Sequence, residues 1–315
     1  MKNKCLYCYQ AIEGGKDFHE KCSVAFFGNT IPPIVEYSLH QMGELAKKIV
    51  ELSVTVPGVQ AKLSMSLVKE MNEKPGTRLT VIGALGGQYI FKPPSGRFTE
   101  MPENEHLTMR IAEDFGIRVV PSSLIRLASG ELSYITKRID RTPTGEKIHM
   151  IDMFQITEAF DKYRGSMERV GKALGSYSDN TLLDKIFYFE QVVFSFLTGN
   201  NDMHLKNFSM IESHSGWVLS PAYDLLNVSI VLPEDKEELA LTLAGKKRKL
   251  EHKHFEQLGK DLDLTDKQIE GVFMRMVKNK AKAISRIDQS FLSEKMKMAY
   301  KDILEKRCRQ IGLVV

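Results

Sequence analysis

The residues best equipped for chemistry lie between Gly199 and Asp224. The stretch reads Gly-Asn-Asn-Asp-Met-His-Leu-Lys-Asn-Phe-Ser and closes on Ser220-Pro-Ala-Tyr-Asp224. Asp202, Asn207 and Asp224 flank two short apolar runs. Phe208 to Ile211 reads as a strand, Ser213 to Gly216 as a turn, and Trp217 to Leu219 as the returning strand. A hairpin brings its two ends together, so Asp202 and Asn207 are expected beside Asp224. Two carboxylates and an amide at one rim suit a hard divalent cation and phosphate oxygens. Asp and Asn also serve turns by bonding their own backbone, so this spacing alone is a weak signal.

A basic partner stands upstream. Lys92 ends the apolar run Tyr89-Ile-Phe-Lys92 and is followed by two prolines. A strand lysine oriented by a helix glutamate holds nucleotide phosphates in phosphoryl-transfer enzymes, and D-x-x-x-x-N followed by a strand pair and an Asp supplies their base and metal ligands. Glu105, at the start of the next helix, is the candidate for that glutamate and Glu103 its rival; a lysine reaching solvent from a strand end is the structural alternative. The loop Pro57-Gly58-Val59-Gln60-Ala61-Lys62 has amides and a cation that could cap phosphates, although it lacks a glycine-rich pattern.

A third cluster opens the chain: Cys5-x-x-Cys8, Gly14-Gly15, then His19-x-x-Cys22. Two ligand pairs of this spacing match a tetrahedral Zn²⁺ site, with four protein ligands and hence a structural role. A segment this short has little core of its own, so metal would supply folding energy. Reduced free thiols are the alternative.

The elements that must position these groups fall in two textures. Residues 1–28 form the cysteine-rich segment, followed by a short stiff stretch at Ile31-Pro32-Pro33. Residues 29–136 read as a β-rich lobe. It opens with a helix over Ser38 to Leu52 and a strand over Lys62 to Val68. A hairpin of Arg78–Ile82 with Gln88–Lys92 follows, then a helix over Asn104 to Phe115 stopped by Gly116. A hairpin of Ser122–Leu127 with Leu132–Ile135 closes the lobe. Residues 137–315 turn helical. Leu182 to Leu197 is apolar almost all round and belongs in a domain centre. Thr265 to Gln268 is a capping box for another helix, and a last helix covers Ser293 to Ile311. The expected class is α+β: a small β-rich lobe and a larger helical lobe with a ligand cleft between them.

Composition is permissive. The chain has 315 residues, of which 43 % are hydrophobic, enough for a core. The net charge of +4 does not by itself argue for nucleic acid. Lys246-Lys-Arg-Lys249 could meet phosphates or an acidic partner, or be a solvated loop. No apolar run reaches the length of a membrane span, and the opening residues lack a secretory pattern. A cytoplasmic location without membrane association is therefore expected.

Six ordered blocks carry a resemblance: Pro57–Lys62, Tyr89–Pro93, Glu103-Asn-Glu105, Lys137-Arg-Ile-Asp-Arg141, Asp202–Ser209 and Ser220–Asp224. Together they resemble the HipA family of bacterial serine/threonine kinases, toxins of toxin–antitoxin operons. The resemblance implies a two-lobed protein-kinase-like fold using ATP and Mg²⁺. Asp202 would be the catalytic base, and Asn207 and Asp224 would hold Mg²⁺. Lys92 would grip the phosphates under the loop Pro57–Lys62. Lys137, Arg138 and Ile139 would meet adenine through backbone groups, with Asp140 near the ribose. His204, Leu205 and Lys206 would line the phosphate end, with Tyr223 beside Asp224. Family members phosphorylate a serine in their own phosphate loop, for which Ser64 and Ser66 are the candidates here.

Full-length members carry a further N-terminal subdomain. This chain has only a knuckle and a helix before the loop and is similar to the short HipT-like branch. A small HipS-like protein would then supply the missing piece, and a HipB-like antitoxin would make any contact with DNA. The implied substrate is a protein, with aminoacyl-tRNA synthetases as family precedents. Met150-Ile-Asp152 departs from the family pattern and leaves the role of Asp152 open. Two rivals stand beside this reading: an inactive nucleotide-binding scaffold, and a nucleic-acid-binding module built on the knuckle and Lys246–Lys249.

Overall fold

The computed structural model describes residues 3–52, 62–69, 77–81 and 87–313. They divide into two compact units. The first comprises Met1–His106, Val120–Lys147 and Gln289–Phe291; the second comprises Leu107–Val119, Ile148–Asp288 and Leu292–Val315. The first unit thus runs past the change of texture after Thr136.

The first unit is built on a five-stranded antiparallel sheet of β1 (Leu63–Lys69), β2 (Thr77–Val81), β3 (Tyr89–Lys92), β4 (Ser122–Arg126) and β5 (Leu132–Lys137), in the order β2-β1-β3-β5-β4. One face carries Leu63, Met65, Leu79, Phe91 and Ile135, all buried, as period-2 alternation demands. β4 and β5 form the expected hairpin (Leu124↔Tyr134, Arg126↔Leu132). The expected hairpin of β2 with β3 is corrected. Both pair with β1, on opposite sides (Met65↔Val81 and Met65↔Tyr89). Sequence neighbours pair only by default, and here β1 stands between the two. Gly87 lets the start of β3 approach β1 closely: with φ +87°, a Cβ there would lie 2.7 Å from both Met65 O and Ser64 Oγ.

Ile34–Tyr37 touches both edges of the sheet. Ile34 exchanges bonds with Thr77 and Leu79, Val35 bridges to Leu127, and Tyr37 O accepts from Ala128 N. Both edges are thereby covered and the sheet curls. Three helices belong to this region: α1 (Glu20–Phe27), α2 (Leu39–Leu52) and α3 (Met101–Asp114). α3 contributes its start to the first unit and its end to the second. Gly116, at φ +81°, stops it.

The second unit holds a small sheet of β6 (Met150–Asp152), β7 (Ser209–Ser213) and β8 (Gly216–Leu219), ordered β6-β7-β8. Around it lie α4 (Met153–Ile156), α5 (Met167–Tyr177), α6 (Thr181–Leu197), α7 (His252–Asp261), α8 (Asp266–Gln289) and α9 (Glu294–Gln310). α6 is the hub. Tyr188, Phe189, Val192, Val193, Phe194, Phe196 and Leu197 are all fully buried. Its rings meet Phe208 at the root of β7 (5.1 Å), Phe273 on α8 (5.8 Å) and Phe255 on α7 (4.9 Å). Each such side chain contributes about 1.5–3 kcal/mol, so the hairpin root rests on the best-packed part of the unit. Among the described residues no helix is long and apolar enough to cross a membrane.

Candidate active site and cysteine-rich centre

In the second unit, α6 ends at Leu197, and Gly199, with a φ of +68°, turns the chain. A Cβ at Gly199 would lie 2.8 Å from Asn227 Oδ1 and from Ile303 Cγ2, so the turn is closed by packing. The loop that follows is pinned from several sides. Asn200 N bonds Ser195 O, Asn201 Nδ2 donates to Asp235 Oδ2 (3.0 Å) and Glu237 O (3.1 Å), and Leu205 N bonds Lys162 O. His204 N then donates to Asp202 O, and one 3₁₀ turn over Leu205–Asn207 leads into β7.

The expected hairpin is present, with Met210↔Leu219 and Ser213↔Gly216 in register. Ser220 N donates to Ser209 O (2.9 Å), carrying the pairing one step further. Tyr223 then staples the two ends: its hydroxyl lies 2.5 Å from Ser209 Oγ and donates to Lys206 O at 2.9 Å. Asp224 is thereby held beside the 3₁₀ turn that carries Asn207. Its φ is +59°, a left-handed backbone on a non-glycine residue; Asp tolerates it better than most, and such strain concentrates at functional sites.

His204 reports the convergence. It is buried, and burial holds its pKa below the ordinary imidazole value, while the carboxylates of Asp202 and Asp224 both pull the other way. One ring therefore feels both acids. Its Nδ1 has no hydrogen-bond partner among the described residues. Asn207 donates through Nδ2 to Asp202 O at 3.0 Å, which ties the amide to the loop and turns its oxygen to other uses. The Asp202 carboxylate accepts from Tyr163 Oη at 2.8 Å, and the Tyr163 ring stands edge-on to His204 at 5.1 Å. The oxygen donors at this rim, a carboxylate from the loop after β8 and an amide from the 3₁₀ turn before β7, are the hard type that Mg²⁺ takes.

Tyr163 was not anticipated, and nothing local in the sequence marks it. Asp152, left open by the sequence, lies across from Ser209 on β6 and caps α4 by accepting from Gln155 N (2.9 Å). Its Oδ2 is 3.9 Å from Lys206 Nζ. Leu205 is buried beneath the turn.

In the first unit, Lys92 is 4 % and Glu105 2 % exposed, and Lys92 Nζ lies 2.6 Å from Glu105 Oε1. Of the two candidate glutamates the structure selects Glu105. Glu103 is instead pushed up to about 7 by burial, with Glu100 adding repulsion. The Tyr134 ring lies 5.4 Å under Lys92 Nζ.

The stretch Lys137–Asp140 leaves β5. Lys137 N bonds Pro121 O and Arg138 N bonds Gln88 O, both at 2.9 Å, so two of its backbone donors serve the sheet unit itself. Asp140 accepts from Arg138 Nε (2.9 Å) and Nη2 (2.6 Å) and from Arg141 Nη1 (2.8 Å). Burial raises its pKa, and these two guanidiniums outweigh that and hold it below the ordinary value. Ile139 follows Arg138 directly. Ser64 and Ser66 sit within β1, Ser64 opposite Ile90 and Ser66 opposite Thr80; Ser64 Oγ accepts from Arg138 Nη1 at 3.4 Å. Lys62 is exposed just before β1. Pro57, Gly58, Val59, Gln60 and Ala61 lie outside the described residues.

The cysteine-rich segment forms one cluster. The ligand atoms of Cys5, Cys8, His19 and Cys22 all lie within 4.8 Å of one another. His19 Nδ1 is 3.4 Å from Cys8 Sγ and 3.7 Å from Cys22 Sγ; tetrahedral zinc separates N and S ligands by about 3.5 Å. His19 Nε2 lies 3.0 Å from Ala11 O. That bond places the ring proton on Nε2 and leaves Nδ1 a lone pair facing the sulfurs, the usual arrangement behind a metal-bound histidine. Gly14 and Gly15, both left-handed, make the reversal. The four residues fit zinc. Of the basic run, Arg248 and Lys249 line a surface cavity with Lys236, Lys306 and Arg307.

The HipA-like C-terminal domain model matches residues 54–284. A putative kinase of Sinorhizobium fredii, Y4dM, is 33 % identical over 235 residues, covering 69 % of this chain and 56 % of that protein. The serine/threonine-protein kinase toxin HipA of Shewanella oneidensis is 26 % identical over 212 residues, 60 % of this chain and 46 % of the toxin. The chain thus spans about half the length of these relatives. The Shewanella oneidensis HipA structure, solved with HipB and operator DNA, superposes with a TM-score of 0.66 at 22 % identity, over 82 % of this chain and 65 % of that one. The fold is accordingly the kinase-like α+β fold, with a curled sheet in one unit and helices in the other. With the matched region reaching from before β1 into α8, this chain belongs to the HipA-like C-terminal domain family.

Proposed function

We propose that the chain is an ATP- and Mg²⁺-dependent protein-serine/threonine kinase of a toxin–antitoxin system. The observation that carries the reading is the single imidazole, His204, that senses both Asp202 and Asp224 while Asn207 is bonded to the Asp202 backbone. In this reading Asp202 accepts the proton of the protein hydroxyl, held in orientation by Tyr163. Asn207 and Asp224 hold Mg²⁺, which neutralises phosphate charge when bound. His204 and Lys206 face the phosphates, and Tyr223 keeps Asp224 in place. Lys92, oriented by Glu105, grips the nucleotide under the loop 57–62. The adenine meets the backbone of Lys137–Ile139, with Asp140 near the ribose.

Self-phosphorylation falls to Ser64 or Ser66, both held in β1, Ser64 opposite Ile90 of β3 and Ser66 opposite Thr80 of β2. The named relatives support an antitoxin partner of HipB type that makes the DNA contact, and the short HipT-like form would add a HipS-like subunit. The knuckle takes one structural Zn²⁺ through Cys5, Cys8, His19 and Cys22.

The test is transfer of radiolabelled γ-phosphate to protein. Labelling by the wild type, with its loss in Asp202→Asn while nucleotide still binds, is the expected result. Nucleotide binding without any labelling of the chain or of a lysate would make it a scaffold instead.

A further inference from the structure

We propose that the Cys₃His centre is a two-armed clamp on the Lys92–Glu105 pair, so that the metal sets how tightly the chain grips nucleotide. The inference rests on the zinc and kinase readings above and goes beyond both.

The first arm runs through Tyr9. This residue directly follows Cys8, and its N–H donates to Cys5 O at 2.9 Å; its φ is +67° and it is 2 % exposed. Its place is therefore set by the turn that carries two of the four ligands. The Tyr9 hydroxyl lies 2.9 Å from His106 Nδ1, and the two rings meet edge to face at 5.3 Å. His106 is fully buried and is the helical neighbour of Glu105. Neighbours on a helix move together, so a shift of His106 is a shift of the carboxylate that holds Lys92 at 2.6 Å.

The second arm runs through α1, which carries Cys22. Its Phe26 and Phe27 pack on Tyr89 at 5.9 and 6.2 Å. Tyr89 begins β3, the strand that ends in Lys92. One arm therefore rests on the element bearing the glutamate, and the other on the element bearing the lysine. The only covalent link between the arms is the stretch from Tyr9 to His19, which contains the paired left-handed glycines. A metal bound by Cys5, Cys8, His19 and Cys22 joins the arms directly. Without it, the arms keep the Tyr7–Phe26 ring contact at 6.1 Å and the Leu6 N to Asp17 O bond but lose the shared centre that fixes their spacing, and a charge pair this short loses attraction steeply as it opens. Tyr9 and the two phenylalanines are positioning residues in this scheme; none is required to touch nucleotide.

The experiment measures zinc content, folding by circular dichroism, and the affinity of the full chain for a fluorescent ATP analogue. Tyr9→Phe keeps the ring and all four ligands but loses the hydroxyl bond to His106. It should hold about one zinc per chain and weaken analogue binding about fivefold to tenfold, the worth of one buried hydrogen bond. Chelation of the wild type should weaken binding further, and added Zn²⁺ should restore it. In a Lys92→Met background, where the pair no longer exists, Tyr9→Phe and chelation should have no additional effect.

Unchanged affinity in both Tyr9→Phe and the chelated, folded protein overturns the clamp while leaving zinc and kinase readings standing. Absence of zinc overturns the zinc reading and the clamp together. A wild type that binds zinc but no nucleotide overturns the kinase reading and the clamp. Equal weakening by Tyr9→Phe with and without Lys92 also overturns it, because the effect then bypasses the pair.

Discussion

The two charged clusters of this chain are built on opposite principles. Lys92 and Glu105 form a dry pair, both almost fully buried and already in contact at 2.6 Å. The rim of Asp202, Asn207 and Asp224 is assembled by backbone: a pinned loop, a 3₁₀ turn, a hairpin and a tyrosine staple. The dry pair is part of the core of its unit, so its removal must be felt in folding. The rim is supported by groups other than the acids themselves, so its side chains can change with the scaffold intact. Substitutions should therefore separate into those that cost activity alone and those that cost stability too.

The largest effect is expected at the rim. Asp202→Asn keeps an oxygen to accept from Tyr163 but cannot take a proton. Phosphate transfer should fall about 10²–10⁴-fold, the usual worth of a general base, with the unfolding midpoint unchanged. Transfer rates and a denaturant curve on one preparation decide it; a loss of stability comparable to the loss of rate would erase the distinction between the clusters. Next comes Glu105→Ala, which strands the Lys92 ammonium in the core. Removing one partner of a buried pair costs about 3–5 kcal/mol, read as a lower urea midpoint, and nucleotide affinity should fall with it. Lys92→Met and Glu105→Leu together should recover much of the stability and none of the affinity.

Glu103 sharpens the contrast, because it is a half-buried acid on the same helix that no cation among the described residues pairs with. Its pKa is pushed up to about 7 from the ordinary 4.5. Between those values the folded chain binds a proton that the unfolded chain has released. Stability is therefore fully present below about 4.5, falls as pH rises through the window, and is flat above about 7. Glu103→Gln should remove the penalty and stabilise by about 2 kcal/mol near pH 8, with little effect near pH 5. Loss of an acid from the first turn of α3 works against this by a smaller amount. Thermal melts of both proteins across the range are the check; parallel curves would remove the claim.

What the sequence made legible follows from range. The hairpin of β7 and β8 was readable because two apolar runs, a turn and their flanking polar residues are all local. The same holds for the ligand spacing of the knuckle and for α6, whose apolar surface all round could belong only at a centre. Glu105 was named ahead of Glu103, but both lie in the first turns of α3 and only packing decides which one faces β3. Tyr163 had no local signal and the role of Asp152 stayed open because their partners, Asp202 and Ser209, are brought in by tertiary pairing. β2 was assigned to β3 because adjacency is the default, whereas β1 offered an equally alternating face to each. α5 and α7 carry glycines within their periodic stretches, which blur the apolar stripe; Ser166, accepting from Arg169 N as an N-cap, was the available signal for the first.

The smallest effect is expected where an ion pair sits in water. Asp17, in the knuckle, receives Arg126 of β4 through Nε at 3.1–3.2 Å and Nη2 at 2.9 Å, a bidentate geometry better than that of most surface pairs. Yet the two side chains are 34 % and 43 % exposed. Water screens the attraction and both side chains give up rotamer freedom, so a double-mutant cycle of Asp17→Ala and Arg126→Ala should give a coupling of roughly 0.2–1 kcal/mol. It should shrink further in molar salt. Set beside a cycle of Lys92→Met and Glu105→Leu in the same unit, the measurement weighs burial against geometry, because the wet pair has the bidentate fork and the dry pair a single contact. A coupling that approaches the buried pair's value would mean that the seam between knuckle and β4 excludes water, and that the clamp has a third point of attachment. A small one leaves Tyr9 and the two phenylalanines as the contacts through which the metal centre can act on Lys92 and Glu105.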